Sequence, residues 1–315
     1  KMTNQPMLGV MLDCSRNAVP NMQSAKYFID CLEKMGYNTL MYYTEDTYEV
    51  EDEPYFGYLR GRFTAEELRE LDAYSEAHGI ELVPCVQTLA HLRTAFRWSA
   101  YTPINDTADI LLMDAERTYL LIENIFRSLR ACFKTDKVHI GMDEAHMLGR
   151  GRYLDKHGYV NPFDILNRHL KKVLEIAAKY GFECMMWSDM FIRIANGGEY
   201  YGKKIDVTEA AINSVPGGVN LIYWDYYHTA KSEYDKMIAA HKKLVSPERV
   251  WFAGGAWTWK GFAPNNAFTR KSMKPAMQSC RENGVQNVFI TLWGDDGKEC
   301  SYFSVLPSLY YIKKI

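Results

Sequence analysis

Two adjacent acids, Asp143 and Glu144, close the apolar run Val138-His139-Ile140-Gly141-Met142. Other apolar runs also finish in residues that can bind ligands or move protons: Asp13 and Arg16, Glu45 and Asp46, His91, Trp187 and Asp189, Tyr223 and Asp225, Trp257 and Trp259, and Trp293 with Asp295 and Asp296. Singly such residues say little, since many α/β proteins end a strand in Asp and a lone Trp is usually core. The same bias at run after run is harder to dismiss. Carboxylates among indole and phenol rings suit a carbohydrate, whose apolar faces pack on aromatic walls while its hydroxyls bond to charged groups. Breaking a glycosidic bond takes an acid that protonates the leaving oxygen and a partner for the oxocarbenium charge developing at the anomeric carbon. Neighbours on one strand start on opposite sides of the pleat. Asp143 and Glu144 therefore fit one acid plus one orienting group better than two carboxylates flanking a sugar about 5 Å apart.

The elements that must hold these residues follow from periodicity. The runs Met7–Leu12, Thr39–Tyr43, Glu81–Val86, Lys137–Gly141, Glu183–Trp187, Asn220–Trp224, Arg249–Ala253 and Asn287–Leu292 are mostly too apolar for a sheet with one wet face, so they belong in a parallel sheet covered on both sides. Amphipathic stretches separate them: Met22–Met35, Ala65–His78, Ala115–Phe133, Pro162–Tyr180, Lys231–Leu244 and Arg270–Asn283, with Ser304–Ile312 last. Gly36, Gly79, Gly181 and Gly284 stand where αβ junctions need a helix stop, and Thr64 with Glu67 has the spacing of a capping box. This alternation predicts a (β/α)8 TIM barrel, a single domain across residues 1–315, with its chemistry at the C-terminal strand ends. Glu49–Phe63 and Trp98–Ala115 are expected to be insertions that shape the rim.

Composition narrows the partners. Among 315 residues, 37 Lys+Arg against 39 Asp+Glu leave a net charge of -2, which provides no basic surface for nucleic acid or an anionic membrane. No apolar stretch approaches the roughly 18 residues of a spanning helix. The 7 cysteines are odd in number, scattered and without a CxxC pair, which favours reduced thiols and a cytoplasmic location over a disulfide framework or a zinc site.

The motif His139-x-Gly141-x-Asp143-Glu144 resembles the signature of family 20 glycoside hydrolases, the β-N-acetylhexosaminidases, where a second Gly is more frequent at the place of Met142. The likeness runs along the barrel: Asp13-x-x-Arg16, Ala90-His91, Trp187, Tyr223-x-Asp225 and Trp293-x-Asp295 fall after strands one, three, five, six and eight. It implies a retaining exo-hydrolase of terminal β-linked GlcNAc or GalNAc that needs no cofactor and no metal. The substrate's own 2-acetamido oxygen would attack the anomeric carbon and form an oxazolinium intermediate. Glu144 would be the general acid and then the base, with a pKa raised by burial among aromatics and by Asp143. Asp143 would accept the acetamido N–H, and the Tyr223 hydroxyl, with Asp225 as its partner, would hold the acetamido oxygen. Trp187, Trp257 and Trp293 would wall the pocket, and Arg16 with Asp295 would grip the nonreducing-end hydroxyls. Asp295 stands where the family more often has Glu, which leaves Asp296 and Glu299 as alternatives. His91 would form a relay to Glu144 with Glu45 or Asp46, while His139 is structural. Family members often carry flanking domains, so the chain fits a catalytic fragment.

Three other chemistries use the same residues. A two-carboxylate glycosidase would take Asp225, Asp189 or another strand-end acid as nucleophile, and a metal-dependent barrel hydrolase would use His91, His139, Asp143 and Asp225. A noncatalytic sugar-binding protein would have no need of both Asp143 and Glu144. The chitinase-like spacing Asp-x-x-Asp-x-Asp-x-Glu is missing, because Val138 and Met142 stand where acids would be required.

Overall fold

Strands β1 (Leu8–Asp13), β2 (Thr39–Tyr43), β3 (Glu81–Cys85), β4 (Lys137–His139), β5 (Glu183–Trp187), β6 (Asn220–Trp224), β7 (Val250–Gly255) and β8 (Val288–Leu292) close into a barrel in sequence order. The computed structural model describes residues 5–295 and 297–315. Every pairing is parallel, and β8 returns to β1 with Met11 opposite Thr291 on one side and Met41 on the other. The helices are α1 (Met22–Met35), α2 (Ala65–Ala77), α3 (Arg93–Phe96), α4 (Glu116–Cys132), α5 (Arg152–His157), α6 (Pro162–Lys179), α7 (Asp189–Ala195), α8 (Glu209–Ser214), α9 (Lys231–Leu244), α10 (Asn266–Glu282) and α11 (Leu306–Lys314). This is the (β/α)8 barrel that the alternation predicts.

Local chemistry accounts for the long helices. The Asn21 side chain accepts from Ser24 N–H to start α1, and Gly36, at φ 82°, ends it in a conformation that costs other residues a Cβ clash. The capping box of Thr64 and Glu67 forms as expected at the start of α2. On α1, Ala25, Phe28, Ile29 and Leu32 point into the core, and burying a Phe or Leu contributes roughly 1.5–3 kcal/mol. Helices α7 and α8 fill the β5–β6 connection, where periodicity predicts no helix. At 7 and 6 residues they are too short to show an amphipathic period.

Strand β4 stops earlier than its apolar run. Gly141 and Met142 both have positive φ, 71° and 70°, which turns the chain out of the extended path after His139. The turn closes on Gln87, whose Oε1 accepts from Met142 N–H at 3.2 Å. Across the barrel seam Asp13 fastens the ends of β1 and β8: its Oδ1 accepts from Ser15 N–H at 2.8 Å and its Oδ2 from Gly294 N–H at 2.8 Å.

A Cβ on Gly141 would overlap Gln87 Oε1 and lie 2.9 Å from Val86 O, besides straining the backbone. Gly141→Ala is expected to lower stability by about 2–4 kcal/mol in urea unfolding and to weaken activity by displacing Gln87. A loss under about 1 kcal/mol would show that the turn adapts.

Candidate active site

The turn after β4 presents Asp143 and Glu144 in different surroundings. Asp143 is buried, with Oδ1 accepting from Gln87 Nε2 at 2.9 Å and Oδ2 lying 3.1 Å from His91 Nε2. Burial pushes its carboxyl up, but the His91 charge and the Gln87 amide outweigh burial and hold it below the usual carboxylate range. Burial works against the His91 imidazolium too, yet Asp143, Glu45 and Glu144 raise it to about 10. The two form a charged pair at neutral pH, although the His91 N–H points off a straight hydrogen-bond line. Glu144 is more open, its side chain 40% exposed, with Arg193 Nη2 at 3.7 Å and His91 Nε2 at 3.9 Å. The enclosure in aromatics expected of Glu144 is thus incomplete, because its side chain stands at the mouth of the cleft.

A polar chain runs from this pair along the strand ends. Gln87 Nε2 also donates to the Tyr43 hydroxyl at 3.0 Å, and that hydroxyl donates to Glu45 Oε1 at 3.2 Å. Glu45 in turn faces Arg16 through two nitrogen–oxygen contacts of 3.3 and 3.5 Å. Burial raises Glu45 to about 7 against the opposing pull of Arg16 and His91. Glu45, His91, Glu144 and Asp295 all have positive φ without being Gly, each an uncommon backbone state that packing must hold.

Aromatic rings complete a cleft of about 650 Å³, including its open mouth, within the range of small-molecule sites. Trp187 is 1% exposed, packs at a tilt on His139 at 4.4 Å and approaches Trp293 at 6.0 Å. Trp224, Tyr226, Tyr227 and Trp259 form the facing wall, where Tyr226 stacks on Trp224 at 5.4 Å. The Tyr226 hydroxyl interacts with Trp293 and Thr291 and lies close enough to feel the Asp143 charge.

The structure therefore gathers Arg16, His91, Asp143, Glu144, Trp187, Trp293 and Asp295 in one cleft, with Glu45 directly behind Arg16. It places four other candidates elsewhere. Tyr223 is fully buried, packs on His241 and Phe252 and gives its hydroxyl to Asp225 Oδ2 at 2.6 Å. Asp225 also meets His228 Nδ1 at 2.7 Å, so neither member of the Tyr-x-Asp pair lines the cleft. Asp46 is sealed under Arg60, and Trp257 packs at a tilt behind Trp259 with its Nε1 donating to Tyr226 O at 2.8 Å. The expected relay is corrected as well: His91 pairs with Asp143, while Glu45 serves Arg16 and Asp46 serves Arg60. Asp296 lies outside the described residues, and Glu299 is exposed and away from the cleft lining.

Sequence reasoning missed Tyr43, Gln87, Trp224, Tyr226 and Arg193. Tyr43 and Trp224 end their strands and Gln87 follows one closely, so the strand-end rule could have found them. Arg193 sits on the unexpected α7 and had no such marker. The metal set of His91, His139, Asp143 and Asp225 is not assembled. His139 accepts from Gly141 N–H at 3.0 Å inside the barrel, where burial lowers it to about 3. Among the described residues His91, Asp143 and Glu144 alone group at ligand spacing, and His91 and Asp143 already pair with each other.

Residues 6–287 match the family described as "Glycosyl hydrolase family 20, catalytic domain". Beta-hexosaminidase 3 of Arabidopsis thaliana is 24% identical over 91% of this chain and 52% of its own length. Hexosaminidase D of Homo sapiens is 22% identical over 86% of this chain and 54% of its own. The chain thus spans about half the length of these curated relatives. Among solved structures, the exo beta-N-acetylglucosaminidase of Vibrio harveyi in complex with N-acetylglucosamine superposes with a TM-score of 0.71 at 15% identity, covering 99% of this chain and 54% of that one. At such identity the likeness speaks for the fold.

The His91–Asp143 pair has a pH signature. An imidazole raised from 6.5 to about 10 by folding adds stability in full below about 6.5, while Asp143 stays ionised, and loses that contribution as pH rises through about 10. The stability gap between the wild type and His91→Gln in urea unfolding is expected to be wide near pH 6 and to shrink towards pH 10; a gap independent of pH would remove the charged pair.

Proposed function

The chain belongs to glycosyl hydrolase family 20, and on that premise we propose that it is a retaining exo-β-N-acetylhexosaminidase releasing terminal β-linked GlcNAc or GalNAc by substrate assistance. The observation that carries the reading is the pairing of a buried carboxylate held ionised, Asp143, with an accessible one, Glu144, in a cleft walled by Trp187 and Trp293. Asp143 accepts the acetamido N–H, turning the acetamido oxygen towards the anomeric carbon and balancing the charge that develops on the amide. The carbon–acetamido oxygen bond forms as the glycosidic bond breaks, and the Glu144 proton goes to the leaving oxygen. In the second half Glu144 takes a proton from water, which attacks the same carbon and reopens the oxazolinium ring, so configuration is retained.

Tyr226 replaces Tyr223 in this reading as the hydroxyl for the acetamido oxygen, because it faces the cleft beside Trp293. Arg16, backed by Glu45, and Asp295 take the nonreducing-end hydroxyls at the other side of the cleft. A protein nucleophile finds less support: Asp225 is engaged by Tyr223 and His228, and Asp189 is fully buried. The reading extends to a compartment where thiols stay reduced, the cytoplasm; all 7 cysteines are unpaired and six of them buried. No helix among the described residues is long and apolar enough to cross a membrane.

Glu144→Gln is expected to lower kcat/KM on a GlcNAc disaccharide about 10³-fold and much less on a dinitrophenyl glycoside, whose leaving group needs no proton. Asp143→Asn should slow both by about 10²- to 10³-fold. A thiazoline analogue of the bicyclic intermediate should inhibit tightly. Near-normal turnover by Asp143→Asn, or a trapped glycosyl ester on the protein, would overturn substrate assistance. Tyr226→Phe should cost about tenfold or more in kcat with Tyr223→Phe close to wild type; the reverse order would return the acetamido role to Tyr223.

A further inference from the structure

Glu144 is restrained from behind as well as from its own turn. Asp189 Oδ2 accepts from the Glu144 backbone N–H at 3.0 Å and from Arg193 Nε at 3.1 Å. The Arg193 guanidinium is pinned further: Nη1 donates to Gly198 O at 3.0 Å, and the group lies over the rings of Tyr200 and Trp224 at 5.5 and 6.0 Å. Its remaining arm, Nη2, stands 3.7 Å from Glu144 Oε1. A single oxygen of Asp189 thus controls both the main chain and the charged neighbour of Glu144. Its second oxygen, Oδ1, is buried with no hydrogen-bond partner among the described residues, a cost that packing alone does not explain.

We propose that Asp189 and Arg193 are positioning residues for proton donation by Glu144: Asp189 fixes the left-handed turn at Glu144 and anchors Arg193, and Arg193 stabilises the carboxylate left when the proton departs. The proposal rests on the reading of Glu144 as general acid. Charge counting supports it. The titratable and charged groups facing Glu144 are His91 from the β3 loop, Asp143 beside it, Asp189 and Arg193 from α7, and Tyr227 from the β6 loop. Among the described residues both cations near Glu144 are paired, His91 with Asp143 and Arg193 with Asp189, and Arg193 Nη2 stands nearer to Glu144, at 3.7 Å against 3.9 Å for His91 Nε2. Burial and the charge of Asp143 raise the Asp189 carboxyl, and its bonds to Arg193 and Glu144 N–H oppose that rise. The negative charge on Glu144 arises in the same step that places a positive charge on the oxazolinium ring, with Arg193 Nη2 beside it.

Kinetics on two leaving groups separate positioning from general support of the fold. Asp189→Asn and Arg193→Gln are expected to lose about tenfold or more in kcat/KM on a GlcNAc disaccharide beyond any loss on the dinitrophenyl glycoside, with Arg193→Lys recovering part of it. Without the cation, the alkaline limb of the kcat/KM profile of Arg193→Gln should move to higher pH. Equal losses on both substrates, or an alkaline limb that does not move, would overturn the proposal. Should Asp189→Asn fail to fold, Arg193→Gln and Arg193→Lys decide the matter by the same two measurements. Glu144→Gln is measured alongside. If it discriminates between leaving groups and the other variants do not, the positioning roles fall and the acid assignment stands. If it does not discriminate, the acid assignment falls first.

Discussion

Asp143 has to remain ionised inside a barrel, where a bare carboxylate is strongly disfavoured, and one amide donor and one cation from the neighbouring strand end make that possible. The Gln87 amide and the His91 imidazolium, four residues apart after β3, take one oxygen each. Parallel pairing of β3 with β4 brings them into range, and the left-handed Gly141 lets the chain pass Gln87 closely enough for Met142 N–H to bond it. Aligned in this way, Asp143 needs little reorganisation when charge develops nearby.

Much of this is legible in the sequence because the relevant constraints are local. The runs Thr39–Tyr43, Glu183–Trp187 and Asn220–Trp224 and the helices Met22–Met35 and Lys231–Leu244 have the bounds that periodicity and caps assign. A strand fixes where its last residue emerges, so the acids, the histidine and two tryptophans can be placed at one face. Tyr223 shows where that reasoning slips. It lies within β6, and alternation turns it towards His241 of α9, whereas Trp224 beside it lines the cleft. Proximity to a strand end does not guarantee access to the barrel mouth, because the pleat decides which side chain reaches it. Asp46 slips for another reason: its partner Arg60 comes from the Glu49–Phe63 insertion, and no spacing announces that contact.

Part of the backbone strain lies at the same rim. Glu45, His91, Glu144 and Asp295 adopt left-handed φ values, and the first three each have a charged neighbour. Strands β2 and β8 are buried along their whole length, whereas further left-handed residues such as Asp52, Leu59 and Asp114 lie in connecting loops outside the cleft lining. Stability and site geometry are divided between layers: helices against strands for the first, loops between strand ends for the second.

The Asp13 clasp ties the first strand to the loop after the eighth, and Arg16 and Trp293 from those two neighbouring loops both line the cleft. During synthesis the acids of β4 can leave the ribosome long before that last loop exists. The cleft is therefore assembled back to front: its acids are made midway, while the wall facing them waits for the ring of strands to shut. Until then a nascent chain has acids with nothing to grip.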